Sequence, residues 1–171
     1  MYDVFLIACY IIAYCNGNGY FVSNLKLQKL LYFVQMKFLI EKEALCFSED
    51  IIAVDFGVMV PLVYQKYFSY GSSMIPYSMV FNRKIYPIRE EDKDIIDDVI
   101  MDVGKYSSTL LLKRILSQDA WKNAYYSSDS KVISRDNISK YLEKKQEDKP
   151  VAKAKIYSLD EYRKKMINKS D

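Results

Sequence analysis

Segment 25–40 constrains the fold most, because its apolar residues cover more than one face of a predicted helix. One stripe follows the helical spacing i, i+3, i+4, i+7 and i+11 and consists of Leu27, Leu30, Leu31, Val34 and Phe38. Another side of the same helix carries Phe33, Met36 and Ile40. Ser23 or Asn24 supplies the N-cap that opens such a helix. A helix that is apolar on several sides needs neighbours on those sides, so this segment predicts the central helix of a mainly α domain.

The pattern elsewhere predicts further helices that pack around the central one. They cover about 4–15, 61–70, 90–103, 107–116 and 134–142. β-branched residues favour a strand at 51–57, two apolar runs around Asn82-Arg83 favour a hairpin, and residues 119–121 favour a turn that carries Trp121. The expected fold class is therefore mainly α (α+β). It is a compact bundle of about six helices around the central signature helix, with a small β-hairpin or short strands near 51–57 and 77–88.

The 171 residues suit one domain followed by a charged tail. Apolar periodicity ends after Leu142, so we expect a folded domain at 1–143 and a charged linker with an amphipathic C-terminal tail at 144–171. This tail holds nine Lys/Arg and five Asp/Glu, a charge of +4, which leaves −1 for 1–143 out of the total of +3. If the tail were helical, one face would carry Ile156, Leu159, Tyr162, Arg163 and Met166. So short a helix is unstable unless it docks on something.

The composition argues against an enzyme. The chain has no histidine, which removes the commonest general base and the commonest metal ligand. Its five glycines are too scattered to form a phosphate-binding loop. We therefore expect no catalytic, cofactor-binding or metal-binding residues.

Cysteine use and hydropathy indicate a cytoplasmic protein without a membrane segment. Cys9, Cys15 and Cys46 have apolar neighbours and predict buried thiols, which fits a reducing compartment. The apolar run 4–14 is too short to span a bilayer and lacks the basic flank of a signal peptide. We interpret it as a core helix.

Residues 25–33, Leu-Lys-Leu-Gln-Lys-Leu-Leu-Tyr-Phe, strongly resemble the signature of the Panacea domain, the SocA-like or phage-associated protein family. Weaker blocks follow in the family's order: a Phe56-Gly57 turn, residues 61–71, residues 104–107 and an element around Trp121. The positions that match family motifs are Leu25, Lys26, Leu27, Gln28, Lys29, Leu30, Tyr32, Phe33, Gly57, Pro61, Tyr64, Tyr67, Gly71 and Trp121. The Trp121 element lacks the family's usual His and Pro, so the chain resembles a divergent member.

The resemblance implies a mostly α antitoxin that neutralises a cognate toxin by direct protein–protein binding. A family branch of proteolytic adaptors implies one alternative, in which the toxin is handed to an AAA+ protease. Because many members sit in prophages and mobile elements, an inhibitor of a host protein such as a defence factor is another. A nucleic-acid-binding regulator ranks last, since the basic charge is confined to the tail. The 16 tyrosines agree with protein contact or with a Tyr-lined core, and the oligomeric state stays open.

The polar signature residues allow two interpretations. Lys26, Gln28 and Lys29 could reach a partner or join a network with Asp55. Alternatively, both lysines form a solvated face and Gln28 caps a nearby backbone group. Trp121 could likewise anchor an interface or fill the core.

The tail gives a sharper prediction. We expect residues 151–171 to order on contact with a partner, although a solubilising tail or an intramolecular strap would explain the same pattern. The candidate partner-binding residues are Lys26, Lys29, Tyr64, Tyr157, Leu159, Tyr162 and Met166.

Overall fold

The computed structural model describes residues 1–79 and 88–147, and most of them are helical. The helices of this part are α1 (Val4–Gly17), α2 (Asn24–Lys42), α3 (Pro61–Lys66), α4 (Glu90–Val103), α5 (Ser108–Leu116), α6 (Asp119–Tyr125) and α7 (Arg135–Glu147). Its strands are β1 (Ile52–Val54) and β2 (Gly57–Met59). Short 3-10 helices cover Phe68–Tyr70 and Tyr77–Met79. The predicted mainly α fold with a small hairpin is confirmed.

Helix α2 lies at the centre of the bundle. It contacts α1, α3, α4, α5, α7 and β2. The predicted stripe of Leu27, Leu30, Leu31, Val34 and Phe38 is buried throughout. On the other side Met36 is buried and Phe33 partly so, whereas Ile40 is 52% exposed. The prediction of a central helix is therefore confirmed, and only its last apolar residue faces solvent.

Local capping explains where the neighbouring helices begin. The Asp3 side chain accepts from the backbone N–H of Phe5 at 2.6 Å and opens α1. Ser107 accepts from the backbone N–H of Leu110 at 3.2 Å and opens α5. Helix α4 has three acidic residues in its first turn, where the helix dipole favours negative charge. Its predicted inward residues are all buried: Ile95, Ile96, Val99, Ile100 and Val103.

The strands form a tight antiparallel hairpin. Val54 pairs with Gly57, so Asp55 and Phe56 make a two-residue turn. Gly57 has a φ of 108°, and a Cβ there would lie 2.9 Å from Leu112 Cδ1. The predicted strand at 51–57 thus contains β1, the turn and the first residue of β2.

A third extended segment extends the hairpin on the β1 side. The Ala53 N–H donates to Lys131 O at 2.8 Å, and the Ile133 N–H donates to Ile51 O at 2.8 Å. This pairing satisfies the free edge of β1 and places Lys131 beside the turn.

Two predictions of irregular structure need correction. Tyr77–Met79 forms a 3-10 helix, so the hairpin predicted at 77–88 does not start there, and 80–87 lie outside the described residues. The turn predicted at 119–121 is wrong, because those residues begin helix α6. With no Gly or Pro to stop it, this helix forms and buries Ala120, Trp121 and Ala124 against the core.

Two helix boundaries also differ from the prediction. Helix α3 ends at Lys66, and the 3-10 helix Phe68–Tyr70 completes the expected span before Gly71, whose φ is 52°. Helix α7 continues to Glu147 instead of ending at Leu142. Its last turns consist of Glu, Lys and Gln, which favour helix without any apolar period.

Cys9, Cys15 and Cys46 are buried free thiols, as predicted. Desolvation raises the pKa of the Cys15 thiol to about 11. Among residues 1–79 and 88–147, no helix has both the length and the apolar composition needed to cross a bilayer.

The hairpin gives a first testable prediction. Replacing Gly57 by Ala forces a Cβ onto a left-handed backbone and against Leu112, so Gly57→Ala should lower the free energy of unfolding by roughly 1–3 kcal/mol. The matched control is Gly17→Ala, since a Cβ at this last residue of α1 meets nothing within 4 Å. Urea denaturation followed by circular dichroism measures both. Equal stability of the two variants would contradict the role assigned to Gly57.

Candidate protein-binding surface

Gln28 joins α2 to the start of α3 from inside the core. Its Oε1 accepts from the backbone N–H of Val60 at 2.9 Å, and its Nε2 donates to Asn24 Oδ1 at 2.9 Å. Val60 is the residue before Pro61, which opens α3. The interpretation that Gln28 caps a nearby backbone group is therefore confirmed.

Two further amides of α2 bond to the backbone of helix α3 and of the loop after α2. Asn24 Nδ2 donates to the backbone oxygen of Tyr64 at 2.9 Å. Gln35 Oε1 accepts from the backbone N–H of Cys46 at 2.9 Å, and its Nε2 donates to Phe47 O at 3.0 Å. Each amide satisfies backbone groups that would otherwise be buried without a partner.

Lys26 and Lys29 lie in the interior, with exposed fractions of 4% and 1%. Lys26 Nζ donates to Phe21 O at 2.7 Å and to Gly104 O at 2.5 Å, and Lys29 Nζ donates to Leu25 O at 3.0 Å. Desolvation lowers the pKa of both, that of Lys29 to about 8. The predicted solvated face is wrong, because neighbours surround α2 on all these sides. Neither ammonium group is presented to a protein partner.

Of the two interpretations of Trp121, the core residue is confirmed. Its side chain also fixes the position of the hairpin. It is buried, and its Nε1–H donates to the backbone oxygen of Gly57. The start of its helix is held by α2, since Tyr32 Oη donates to Gln118 Oε1 at 2.5 Å. Helix α6 and the hairpin therefore occupy fixed positions relative to α2.

A cluster of aromatic side chains, two of them exposed and three partly buried, lies on these fixed elements. We call it the aromatic surface; it consists of Phe56, Tyr64, Phe68, Tyr125 and Tyr126. In its first half, the ring of Tyr64 stacks on Phe56 at 5.8 Å and 24°, and meets Phe68 edge-on at 5.8 Å and 70°. The Phe68 side chain remains 65% exposed.

The second half stands on the buried tryptophan. Tyr125 stacks on Trp121 at 4.4 Å and 16°, and Tyr126 meets Tyr125 edge-on at 5.2 Å. Tyr125 Oη donates to Asp55 Oδ1 at 2.5 Å, which raises the Tyr125 pKa. Lys131 Nζ lies 5.5 Å from the centre of the Tyr125 ring and donates to its backbone oxygen. Tyr125 is thus held on several sides, whereas Tyr126 is 76% exposed.

A shallow depression of about 630 Å³ is lined by the two tyrosines and by the hairpin turn. Its lining includes Asp55, Phe56, Tyr125, Tyr126 and Lys131. Phe56 borders both this depression and the Tyr64 stack, so the two halves form one surface. Rigid aromatic rings with polar tips suit the burial of a partner's apolar side chain, because little side-chain entropy is lost.

The family model for antitoxin SocA-like proteins, Panacea domain, matches residues 27–122, which is more than half of the chain. The chain belongs to this family. The match confirms the family resemblance; it includes residues 27–33 of the signature and spans most of α2, the hairpin and Trp121. No curated protein and no solved structure gives a significant match.

Only one member of the aromatic surface, Tyr64, was a candidate from the sequence of this Panacea domain. Phe56, Phe68, Tyr125 and Tyr126 were missed. The pair Tyr125-Tyr126 carried a usable signal, because successive positions at a helix end point in different directions and one ring stays outside. The other candidates, Tyr157, Leu159, Tyr162 and Met166, lie outside the described residues.

Lys29 gives a prediction about pH. Its folded pKa of about 8 lies below the unfolded value of 10.5, so the native state binds fewer protons in that window and its stability rises with pH from about 8 to 10.5. Below pH 8 the buried charge opposes folding, by about 3 kcal/mol if the whole shift counts. We expect Lys29→Met to be more stable at pH 7 by about 1–3 kcal/mol. The difference should shrink as the pH rises through the window.

The measurement is urea denaturation of both proteins between pH 6.5 and about 10.5, the unfolded pKa of Lys29. Lys66→Met, which changes an exposed lysine of α3, is the control and should follow the wild-type curve. A constant difference between Lys29→Met and wild type across the window would contradict the titration of Lys29.

Proposed function

We propose that the chain is a non-catalytic antitoxin of the cytoplasm that neutralises a cognate toxin by direct binding through the aromatic surface. Family membership supports the antitoxin role. The aromatic surface carries the proposal of direct binding, because Phe68 and Tyr126 are large side chains that the fold leaves in solvent. Such residues dominate binding energy when a partner buries them.

The buried motif residues and the aromatic surface have different roles, and this difference supports the assignment of toxin binding to the aromatic surface. The polar motif residues Gln28, Lys26 and Lys29 are buried and bond to the chain's own backbone. They specify the scaffold and cannot distinguish one partner from another. The aromatic surface lies on loop and helix ends, where a change of side chain alters contacts without disturbing the core.

The test is purification of the tagged full chain from its native host, with mass spectrometry of bound proteins. We expect a stoichiometric protein that is toxic when expressed alone and harmless when expressed with this chain. Recovery of an AAA+ protease with the toxin would favour the adaptor role, and recovery of a host defence protein would favour the inhibitor role. A nucleic acid as the only bound species would contradict the proposal.

Substitutions on the surface test the mode of binding. Phe68→Ala and Tyr126→Ala should each weaken toxin affinity by about tenfold or more, because each removes a large apolar contact at little cost to the core. Phe21→Ala is the matched control, since Phe21 is 53% exposed but lies outside the aromatic surface. Isothermal titration with the purified toxin gives the affinities, and toxin rescue in growing cells gives the biological effect. Equal effects of all three variants would place the interface elsewhere.

A further inference from the structure

A second concave region lies away from the aromatic surface and shares no residue with it. It is a groove of about 450 Å³ between α2, α4, α5 and α7. Its apolar lining includes Phe33, Met36, Ile40, Val99 and Leu142. Ile40 is 52% exposed there, although it belongs to the central helix. The groove therefore has an apolar face that the described residues leave uncovered.

We infer that residues 156–167 of the same chain dock in this groove as an amphipathic helix. Their sequence places Ile156, Leu159, Tyr162 and Met166 at helical spacing, so one face would be apolar. A helix of this length is unstable alone and needs a surface to cover. The inference concerns a contact within the chain and does not depend on toxin binding.

The path of the chain favours this occupant. Helix α7 contributes Tyr141 and Leu142 to the groove and ends at Glu147. Residues 148–155 can span up to about 26 Å when extended. That reach is enough to turn back over a groove that α7 itself borders. Because the linker is short, the effective concentration of the docking segment is high.

The charges of the groove and of the C-terminal sequence also favour docking of residues 156–167. Helix α4 has seven acidic residues and one lysine, and two of the acids, Asp98 and Asp102, line the groove. The sequence from 144 to 171 has a charge of +4, and within the docking segment Arg163, Lys164 and Lys165 outnumber Asp160 and Glu161 by one. Opposite charges therefore flank an apolar contact.

The cations of the groove already have partners. Lys37 pairs with Glu41 at 2.5 Å, and the Arg114 guanidinium lies 4.4 Å from the centre of the Tyr106 ring. Within the described part of the chain, Asp98 and Asp102 form no ion pair. Their charges act on Lys37, whose pKa is raised first by the hydrogen bond to Glu41 and further by Asp98 and Asp102. With no direct ion pair to hold them, both carboxylates can still attract basic residues of the docking segment.

The test is NMR of the full chain with ¹³C-labelled methionine methyl groups. Met36 lines the groove and Met166 belongs to the docking segment, so both methyls report on the contact. We expect nuclear Overhauser effects between the Met166 methyl and the ring protons of Phe33 or Tyr141. Leu159→Asp and Ile40→Asp should each remove them and move the Met166 signal to its position in an unstructured peptide.

The controls separate loss of docking from loss of folding. Leu110→Asp changes an exposed residue of α5 outside the groove and should leave the contact intact. The methyl of Met101, which is exposed on α4 and does not line the groove, should keep its chemical shift in every folded variant. Replacing Asp98 and Asp102 by Asn should weaken docking and remove its dependence on salt.

Three results would overturn the inference. The first is a Met166 signal at the unstructured position in the wild-type chain. The second is a contact that forms only between differently labelled copies or only at high protein concentration, which would indicate docking between chains. The third is ordering of Met166 only when toxin is added, which would assign the segment to the partner.

Discussion

Hydrogen bonds from polar side chains of α2 to backbone groups of irregular segments underlie the whole structure. The Gln28 side chain accepts from the backbone N–H of Val60. The Gln35 and Lys26 side chains donate to the backbone oxygens of Phe47 and Gly104, respectively. A backbone group that is buried without a partner is costly, so the segments between helices can enter the core only where such partners exist. The apolar stripe of α2 therefore sets the core, and its polar residues set the position of the connections.

The aromatic surface follows from those connections. Gln28 and Asn24 fix the two ends of α3, while Trp121 ties α6 to the hairpin at Gly57. Phe56 and Tyr125 consequently line the same depression, although neither bonds to α2. Because these fixing contacts use backbone atoms of the loops, the exposed side chains of the aromatic surface can change without loss of the scaffold.

The helices were predictable because their periodicity and caps are local features of the sequence. The burial of Lys26 and Lys29 was not, since a lysine on a helix faces either solvent or core according to what packs outside it. The assembly of the aromatic surface was equally inaccessible, because its two halves meet through distant residues: Tyr125 reaches Asp55 across 70 positions. Only the adjacent pair Tyr125-Tyr126 left a local signal. Helix α6 was missed because its seven residues carry too little pattern to separate a helix from a turn.

The position of Trp121 has a practical consequence. It is the chain's single tryptophan, and it lies beneath the aromatic surface in stacking contact with Tyr125. Its fluorescence therefore originates from one place, next to the depression bordered by Phe56 and Tyr126. A molecule that settles there packs against Tyr125 and Tyr126, the rings in contact with Trp121, and we expect it to change the emission of this one residue. The unmodified chain thus contains an optical reporter of occupancy at this surface, without an attached dye.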